Sequence, residues 1–392
     1  MFELPLRQDL TAKQIEVMEL PYLSRQDESE EELFHLISGP PGSGKSVMAV
    51  YRAMRIHSDG EPVRLMMFNK LLSLWTEGAL EKQNIDTAVV STFHKWFGGS
   101  PGRPGWFKKT YGEAPPKIGP WEYDFDECLR IAGEQTPPEM REHLIIDEGQ
   151  DMDPKIWIFL REICRSLTVF ADENQQITNQ NSTLQEIQYL SGIKHQVALE
   201  TNFRNTPQIA KFAACFYAGD GSPPLEITDS IEDGDPPILE HHKDINESKN
   251  RIRIFANNNA TASIGVFVPS ISLVNKFYNR LTADKELNVL VQRHHSQMWK
   301  DGKQLDGAIN FVDPGIKIMT YQAAKGLEFN TVFLPELQKY NIGDGGINIT
   351  KQLYVLASRA KKQLFLFYSG EGTPPVLNVL RNRGAMKFLK EE

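Results

Sequence analysis

The sequence predicts an α/β fold with a phosphate-binding domain, and three observations predict it. Leu33 to Ser38 is a short apolar run of the kind that forms a buried strand. A glycine-rich turn follows, and Ala49 to Met54 then continues with helical spacing. A second apolar run, "LIIDEGQD" (residues 144–151), ends in carboxylates. Strand, glycine turn and helix in this order indicate a parallel α/β domain.

Composition describes a globular chain of 392 residues, long enough for two to three domains. It is 40% hydrophobic and 24% charged. No run of about 18 apolar residues is present, so no membrane span is expected. The start, "MFELPLRQDL", does not resemble a signal or transit peptide. Cys128, Cys164 and Cys215 fit neither a zinc spacing nor a disulfide framework, and we expect reduced, buried thiols in a cytoplasmic protein.

The formal net charge of −8 argues against a protein that coats nucleic acid through bulk charge. A local basic groove remains compatible with this charge, because binding depends on where the charges lie and not on their sum.

The glycine turn from Gly39 to Ser46 fits the phosphate-binding loop G-x4-GK[ST]. Glycines let backbone N–H groups turn toward phosphate oxygens, and the following helix presents its N-terminus to the same anion. Lys45 is predicted to reach the β- and γ-phosphates, and Ser46 to offer its hydroxyl to Mg²⁺. The alternative is a Gly/Pro turn that ends in Lys-Ser by chance. The residues expected to bind nucleotide here are Gly39, Pro40, Gly42, Ser43, Gly44, Lys45 and Ser46.

The acidic stretch "LIIDEGQD" supplies carboxylates that can act together with the phosphate-binding loop. Adjacent carboxylates repel and resist burial, so they persist at a strand end when something positive or reactive needs them. Asp147 is predicted to hold the Mg²⁺ shell. Glu148 is predicted to orient or deprotonate the attacking water. The alternative is a strand that ends in a solvated acidic turn. With the loop, these residues predict ATP hydrolysis but do not identify what it drives.

Further stretches resemble the motifs of one family, in order along the chain. They are "DLTAKQIEVM" (9–18), "VFADENQ" (169–175), "LETNFRN" (199–205), "IMTYQAAKGLEF" (318–329) and "LYVLASRAKK" (353–362). Together they resemble the helicase motifs of superfamily one, in the UvrD/Rep/PcrA branch. The resemblance extends from Leu10 to Tyr368.

This resemblance implies two RecA-like P-loop NTPase domains with parallel sheets and ATP in the cleft between them. The first would span residues 1–200, with residues 95–140 as a reduced insertion, and the second would span residues 201–392. The family's second insertion is essentially missing. In the second domain, "YAGDGSPPLEITDSIEDGDPP" (217–237) is typical of an exposed loop, "ASIGVFVPS" (262–270) of a buried strand and "SLVNKFYNRL" (272–281) of a helix.

The resemblance also implies roles around the nucleotide. Gln14 would read the adenine edge, since an amide can donate and accept at once. Phe203 would stack on the adenine ring, with a core aromatic as the alternative. Gln175 would sense the γ-phosphate, and Arg204 and Arg359 would be arginine fingers. The remaining implied contacts are Gly326, which permits close backbone approach, and Glu328, near the ribose or γ-phosphate.

The expected track is single-stranded DNA, or its junction with a duplex, across both domains. The candidates for phosphate contact and base stacking are Asn69, Lys70, Thr92, His94, Lys95, Thr320 and Tyr321. For His94, a capped core histidine is an equal alternative.

Aromatic residues interleaved with basic ones occupy "GRPGWFKKTYGEAPPKIGPWEYDF" (102–125). This pattern suits stacking on single-stranded bases or docking of a partner. The alternative is a small hydrophobic lid with a solvated rim. The aromatics concerned are Trp106, Phe107, Tyr111 and Trp121.

Two departures from the family concern strand separation. The chain is short in both insertions, and "ITNQNSTLQE" (177–186) lacks the aromatic residues that the family shows after this motif. Val47 also follows the loop where the family often has arginine. ATP hydrolysis is unaffected by these changes, but a motor with fewer stacking groups could translocate without unwinding well.

Three hypotheses follow. The first is an ATP- and Mg²⁺-dependent motor on single-stranded DNA, a UvrD-like helicase or translocase, for which the resemblance implies 3′-to-5′ movement and a setting such as DNA repair. The second is an ATPase or sensor subunit of a larger complex, such as an anti-phage system, that regulates a separate nuclease. The third and weakest is an RNA motor, since nothing in the sequence distinguishes the 2′-hydroxyl.

Overall fold

The computed structural model describes residues 4–23, 30–67, 73, 76–77, 80–81, 85–120, 122–133, 136–175, 181–217, 226–227, 232–295, 299–300, 303–304, 309–310, 313–340 and 349–391. They form two compact units that meet in the sequence between Glu200 and Thr201. We call these units the N-terminal and the C-terminal domain. Each is built on a parallel sheet, which confirms the predicted α/β class with two RecA-like domains.

The N-terminal domain alternates strands with helices. Its strands are β1 (Phe34–Ser38), β2 (Val63–Met67), β3 (Val90–Thr92), β4 (Gly99–Ser100), β5 (Arg103–Pro104), β6 (His143–Ile146), β7 (Ser166–Ala171) and β8 (His195–Ala198). Its helices are α1 (Ala12–Glu19), α2 (Lys45–Ser58), α3 (Phe93–Phe97), α4 (Trp106–Tyr111), α5 (Phe125–Ala132), α6 (Ile156–Ile163) and α7 (Leu184–Ser191). Six strands form one parallel sheet in the order β3-β2-β6-β7-β1-β8, and β4 and β5 form a separate antiparallel hairpin.

Strand β1 lies inside this sheet, between β7 and β8. All five of its residues are buried, as expected for a parallel strand covered by helices on both faces. Parallel pairing brings the carboxyl ends of β1, β6 and β7 to one edge, because Ser38 pairs with Ala171 and Ile146 pairs with Val169. The loops that follow these strands therefore meet at that edge.

The aromatic residues after β3 belong to the core. Trp106 is 6% exposed, Phe107 is fully buried, and Trp106 stacks on Trp96 with ring centroids 5.1 Å apart. The predicted stacking of Trp106 and Phe107 on bases is therefore wrong, because both rings are buried in a packed aromatic cluster. The alternative of a small hydrophobic lid fits. Tyr111 is half-buried and hydrogen-bonds Thr136, and Trp121 lies outside the described residues.

The C-terminal domain contains a second, larger sheet. The strands of this domain are β9 (Thr201–Asn202), β10 (Glu226–Ile227), β11 (Ile238–His242), β12 (Ser263–Val268), β13 (Val291–His294), β14 (Trp299–Lys300), β15 (Lys303–Gln304), β16 (Gly315–Thr320), β17 (Phe329–Leu334), β18 (Ala360–Ser369) and β19 (Lys390–Glu391). Its helices are α8 (Pro207–Ala214), α9 (Ile245–Asn258), α10 (Ile271–Thr282), α11 (Ile349–Ala357) and α12 (Pro375–Asn382). Seven strands pair in parallel, in the order β13-β16-β12-β17-β18-β11-β19.

The predictions for this domain are confirmed where the structure describes them. Residues 263–268 form a buried central strand, and residues 271–282 form a helix capped by Ser270. Most of the predicted loop at 217–237 lies outside the described residues, but Glu226 and Ile227 form a short strand beside β9.

The three cysteines form no disulfide, and Cys128 and Cys164 are buried whereas Cys215 is only partly so. The prediction of three buried thiols therefore holds for two of them. Among the helices of the described ranges, none combines the length and the apolar character that crossing a membrane requires.

A buried arginine fastens α1 to the rest of the N-terminal domain. Arg52, on α2, has no exposed surface. Its guanidinium donates to Thr168 Oγ1 at 2.7 Å, Leu20 O at 2.8 Å and Pro21 O at 3.1 Å. Burial lowers the pKa of Arg52 to about 9. Arg52 thus ties the end of α1 to β7, and α1 carries Gln14.

We expect Arg52→Met to lower the free energy of unfolding of the N-terminal domain by about 2–4 kcal/mol, since buried carbonyls lose their donor. Urea unfolding followed by tryptophan fluorescence measures this, because every tryptophan except Trp299 lies in that domain. Arg55→Met is the matched control. Arg55 is half-buried on the same helix and donates to Met18 O, so its loss should cost about 1 kcal/mol or less. Equal unfolding of the two variants would contradict the role of Arg52.

Candidate functional site

The predicted phosphate loop lies between β1 and α2 and depends on its glycines. Gly42 and Gly44 have φ of 81° and 90°, a region that favours glycine. A Cβ on Gly39 would lie 2.4 Å from Leu199 O. The loop is thus held against the segment after β8, and its backbone can take the turns that a phosphate cradle requires.

Lys45 begins α2 and turns back over the loop. Its Nζ donates to Gly39 O at 2.6 Å and to Pro40 O at 3.0 Å, and lies 4.0 Å from Asp172 Oδ2. The side chain is only 7% exposed. An ammonium group at this position is placed to neutralise phosphate oxygens within the loop.

Asp147 follows β6 and is 1% exposed. Burial, followed by the charge of Glu148, raises the pKa of Asp147 to about 7, and the neighbouring Ser46 hydroxyl and Lys45 ammonium oppose that rise. Asp147 Oδ2 is buried without a hydrogen-bond donor in the described part of the chain. An unpaired carboxylate oxygen beside a serine hydroxyl is a donor set that fits Mg²⁺, which takes few protein ligands and completes its shell with phosphates and water.

Glu148 occupies a strained position next to Asp147. Its φ of 59° and ψ of 42° lie in the left-handed region, which is uncommon for a residue other than glycine. The following Gly149 has no room for a side chain, because a Cβ there would lie 2.4 Å from Val169 Cγ1. The backbone thus turns sharply after β6, and the Glu148 carboxylate accepts a hydrogen bond from Gln150 Nε2.

Gln175 lies in a short helical turn after β7, 2% exposed. Its Nε2 donates to Asp172 Oδ2 at 2.8 Å. Asp172 is fully buried and is the same carboxylate that Lys45 approaches. The predicted γ-phosphate sensor is therefore held beside the phosphate loop through Asp172.

Gln14 belongs to the capping box of α1. Its Oε1 accepts from Thr11 N at 3.0 Å, and its Nε2 donates to Ser43 O at 3.3 Å. Gln14 Nε2 is also the atom that a Cβ on Gly44 would meet, at 2.7 Å. An amide has a second N–H and further acceptor capacity, so these bonds leave one of each for a nucleobase.

In the C-terminal domain, a carboxylate joins two cations. Glu328 Oε2 lies 2.6 Å from Arg204 Nε, and Glu328 Oε1 lies 2.7 Å from Lys361 Nζ. Burial alone would raise the pKa of Glu328, but the charges of Arg204 and Lys361 outweigh it and hold the pKa below its ordinary value. Glu328 is thus an ionised partner that orients Arg204.

The segments that carry the two predicted arginine fingers are bonded to each other. Asn205 Nδ2 donates to Ser358 O at 3.0 Å, and Thr206 N donates to Lys361 O at 3.0 Å. Arg359, between these acceptors, is 1% exposed, and its Nε donates to Val355 O at 3.0 Å. The structure therefore brings Arg204 and Arg359 into one hydrogen-bonded unit at the amino ends of β17 and β18.

Phe203 and Gly326 are placed as follows. Phe203 is 41% exposed, so the core-aromatic alternative is wrong and the ring is accessible. Gly326 has φ of 77°, a conformation that favours glycine, and it precedes Glu328 in the connection from β16 to β17.

The candidates for contact with DNA lie at carboxyl ends of strands in both domains. Thr92 ends β3 and Thr320 ends β16, and both are half-buried. Tyr321 is half-buried, with its ring 6.4 Å from that of Tyr340. Asn69 and Lys70 lie outside the described residues.

His94 and Lys95 are exposed on α3, so the core alternative for His94 is wrong. The imidazole of His94 packs near Phe93 and Tyr123. These neighbouring rings keep water from part of the imidazole, and this desolvation, together with the charge of Lys117, lowers the pKa of His94. His94 is therefore neutral at physiological pH and suited to hydrogen bonding or stacking more than to charge neutralisation.

A cavity of about 570 Å³ lies at the amino ends of β2, β3 and β6, away from the phosphate loop. Glu142 on its wall pairs with Arg64 at 2.6 Å and accepts from Trp96 Nε1 at 2.8 Å. Arg103 and Lys109, basic residues interleaved with the aromatics, also line it. This cavity is separate from the nucleotide site, which is shaped by backbone turns.

Sequence reasoning missed several residues of the site. They are Gln150, Asp172, Asn205 and Lys361. All four lie inside motifs that the sequence displays, at positions 144–151, 169–175, 199–205 and 353–362. Their partners come from other segments, and no pattern along the chain announces such a pairing.

Comparison with known proteins follows the same division of the chain. A family model for the UvrD-like helicase C-terminal domain matches residues 271–371, and an AAA-domain model matches residues 26–181. The RecBCD enzyme subunit RecB of Chlamydia pneumoniae is 35% identical over 77 residues, which are 20% of this chain and 7% of that protein. The chain thus aligns with a small part of its curated relative.

Among solved structures, the C-terminal domain of a possible DNA helicase from Lactobacillus plantarum is similar at 18% identity and a TM-score of 0.34, over 48% of this chain and 98% of that one. The assignment depends on the two family models and the RecB match, together with the ordered motifs and the two parallel sheets. The chain contains a UvrD-like helicase C-terminal domain and an AAA domain, and it is similar to the UvrD-like helicases of superfamily one.

Proposed function

We propose that this chain hydrolyses ATP with Mg²⁺ and uses the energy to move along single-stranded DNA, in the 3′-to-5′ direction. The observation that carries the proposal is the meeting of Lys45, Asp147, Glu148 and Gln175 at one edge of the N-terminal sheet. A phosphate cradle, a metal ligand, a base and a sensor are the parts that phosphoryl transfer to water requires. A cytoplasmic location, where ATP and DNA meet, goes with this function.

The geometry of the N-terminal domain supports the following roles. Lys45 would exchange its bonds to loop carbonyls for bonds to the β- and γ-phosphates. Mg²⁺, held by Asp147 and Ser46, would neutralise charge on the phosphates. Glu148 would accept the proton of the attacking water, and Gln14 would recognise adenine through its remaining N–H and lone pair.

Residues of the C-terminal domain would complete the reaction. Arg204 and Arg359 would stabilise charge on the transferred phosphoryl group, a contribution that reaches several orders of magnitude in rate in related chemistry. Phe203 would stack on adenine. Glu328 would keep the Arg204 guanidinium oriented, because it holds Nε at 2.6 Å. Gly326 lets the backbone come close to the nucleotide.

DNA would lie over the carboxyl ends of strands in the two domains. Thr92, His94 and Lys95 would contact it in the N-terminal domain, with Asn69 and Lys70 as further candidates. Thr320 and Tyr321 would contact it in the C-terminal domain. The buried state of Trp106 and Phe107 leaves fewer rings for stacking, which favours translocation over strong unwinding.

A second candidate function is an ATPase subunit of a larger complex, such as an anti-phage system that regulates a separate nuclease. One observation favours it: the curated relative is itself a subunit, RecB of the RecBCD enzyme. The two functions differ in what stimulates turnover, since a self-sufficient motor responds to DNA and a subunit responds to its partner.

We expect single-stranded DNA to stimulate steady-state ATP turnover, and Glu148→Gln to lower turnover by about 100-fold or more, the size of a general-base contribution. Binding of a fluorescent ATP analogue should persist in Glu148→Gln, because the amide removes the base without removing the cradle. Phosphate release by the purified chain, with and without oligothymidine, measures the first expectation.

Lys45→Ala is the matched control, since it should lose nucleotide binding as well as turnover. If single-stranded DNA does not change wild-type turnover, the chain is not a self-sufficient motor. A protein partner should then be sought. Full turnover by Glu148→Gln would remove the assigned base.

We expect Tyr321→Ala to weaken binding of oligothymidine about 5- to 100-fold, since stacking of one base contributes about 1–3 kcal/mol. Turnover without DNA should be unchanged, because Tyr321 lies at the opposite end of its sheet from Glu328 and Arg359. Fluorescence anisotropy measures the affinity. Tyr189→Ala controls for loss of a tyrosine, since Tyr189 is 85% exposed on α7. Equal affinity of Tyr321→Ala and wild type would exclude the stacking role.

A further inference from the structure

A fully buried glutamine lies between the two turns that carry the hydrolytic residues. Gln150 follows β6 in the short helical turn Gly149–Asp151 and has no exposed surface. Its Nε2 donates to Glu148 Oε2, and its Oε1 accepts from Asp172 N at 2.9 Å. Its backbone carbonyl accepts from Ser182 N at 3.0 Å. One side chain thus contacts the carboxylate after β6 and the backbone after β7.

The orientation of the Gln150 amide is fixed by its partners. The backbone N–H of Asp172 can only donate, so the amide oxygen must face it. The amide nitrogen must then face Glu148, whose carboxylate oxygen accepts its hydrogen bond. Flipping the amide would place two donors together and two acceptors together. The side chain is therefore a fixed spacer between two backbone turns, and not an adaptable contact.

The spacer extends to the rest of the site through Asp172. Asp172 Oδ2 accepts from Gln175 Nε2 at 2.8 Å and lies 4.0 Å from Lys45 Nζ. Gln150 is therefore the link between Glu148 and the residues that approach the terminal phosphate.

The Glu148 carboxylate needs such a support. Asp147 is adjacent, and repulsion between the two carboxylates favours their separation. A general base must also lie within hydrogen-bond distance of the water that it activates, and a displacement of about 1 Å can cost about 100-fold in rate. A donor on Oε2 holds Glu148 against this repulsion.

We propose that Gln150 is a positioning residue for hydrolysis, which fixes the Glu148 carboxylate relative to the Asp172–Gln175 turn. This inference rests on the proposed function, in which Glu148 activates water. Gln150 touches neither water nor phosphate in this scheme, so it should affect the rate constant of turnover and not the affinity for nucleotide.

The test compares two substitutions of nearly equal size. Gln150→Met removes both hydrogen bonds. Gln150→Glu keeps an acceptor for Asp172 N and, when it is ionised, cannot donate to Glu148. We expect both to lower kcat about 10- to 100-fold, the range seen when a group that orients a reactive ligand is removed. The Kd of a fluorescent non-hydrolysable ATP analogue should stay within about twofold, since the phosphate cradle is untouched.

Ser182→Ala is the matched control. Ser182 is equally buried beside the same turn, and its hydroxyl accepts from Trp157 Nε1 at 2.7 Å and donates to Met152 O at 2.7 Å. Its kcat should stay within about threefold of wild type, because it removes packing and hydrogen bonds without releasing the base. A loss in Ser182→Ala as large as in Gln150→Met would show that general packing is responsible and would overturn the proposal.

Other outcomes also decide. Wild-type kcat in Gln150→Met, which keeps neither hydrogen bond, would overturn the link to Glu148. If either variant fails to bind nucleotide, Gln150→Asn replaces it, since the shorter amide cannot reach both partners and should show the same loss of kcat. Full turnover in Glu148→Gln would instead remove Glu148 as the assigned base, a result obtained without any change at Gln150.

Discussion

Parallel pairing of β1, β6 and β7 is the constraint on which the rest of the site depends. The register brings Ser38 level with Ala171, and Ile146 level with Val169, so three chain segments leave the sheet at one edge. The loop after β1 offers backbone N–H groups, the loop after β6 offers the proposed metal ligand Asp147, and the loop after β7 offers the proposed sensor Gln175. Every residue of these strands is buried, so a slip in register would disrupt close packing on both faces of the sheet.

The sequence was sufficient for the parts of the site that are local. The spacing from Gly39 to Ser46 and the pair Asp147–Glu148 act through backbone geometry within one turn, so their patterns predict their chemistry. The Gln150–Asp172 bond was beyond prediction, because it joins residues 22 positions apart and depends on the register of β6 and β7. The prediction that the aromatic residues around Trp106 stack on bases was wrong for a different reason. A sequence shows that an aromatic ring is present, but not whether the ring packs in the core or stacks on a base.

The charged residues of the C-terminal domain that are predicted to act on the nucleotide also contact one another. The resemblance implies that Arg204 and Arg359 act as arginine fingers and that Glu328 lies near the ribose or γ-phosphate. In the structure, Glu328 binds Arg204 and Lys361, and Asn205 bonds to the carbonyl of Ser358, so the segments that carry these residues are joined to one another. Burial alone would disfavour the charge of Glu328, and pairing with Arg204 and Lys361 keeps that carboxylate ionised. Removal of one member would therefore disturb the others.

The connection from β16 to β17 has a mechanical consequence. These strands are not neighbours, since β12 lies between them. Thr320 is level with Val268, and Thr331 is level with Ile264, so the chain must travel back along most of a strand, about 20 Å, in the few residues from Tyr321 to Glu328. A crossover of this kind ordinarily contains a helix, which supplies spare length. Without one, the connection behaves as a short tether, and its two ends, Tyr321 and Glu328, have little freedom to shift independently.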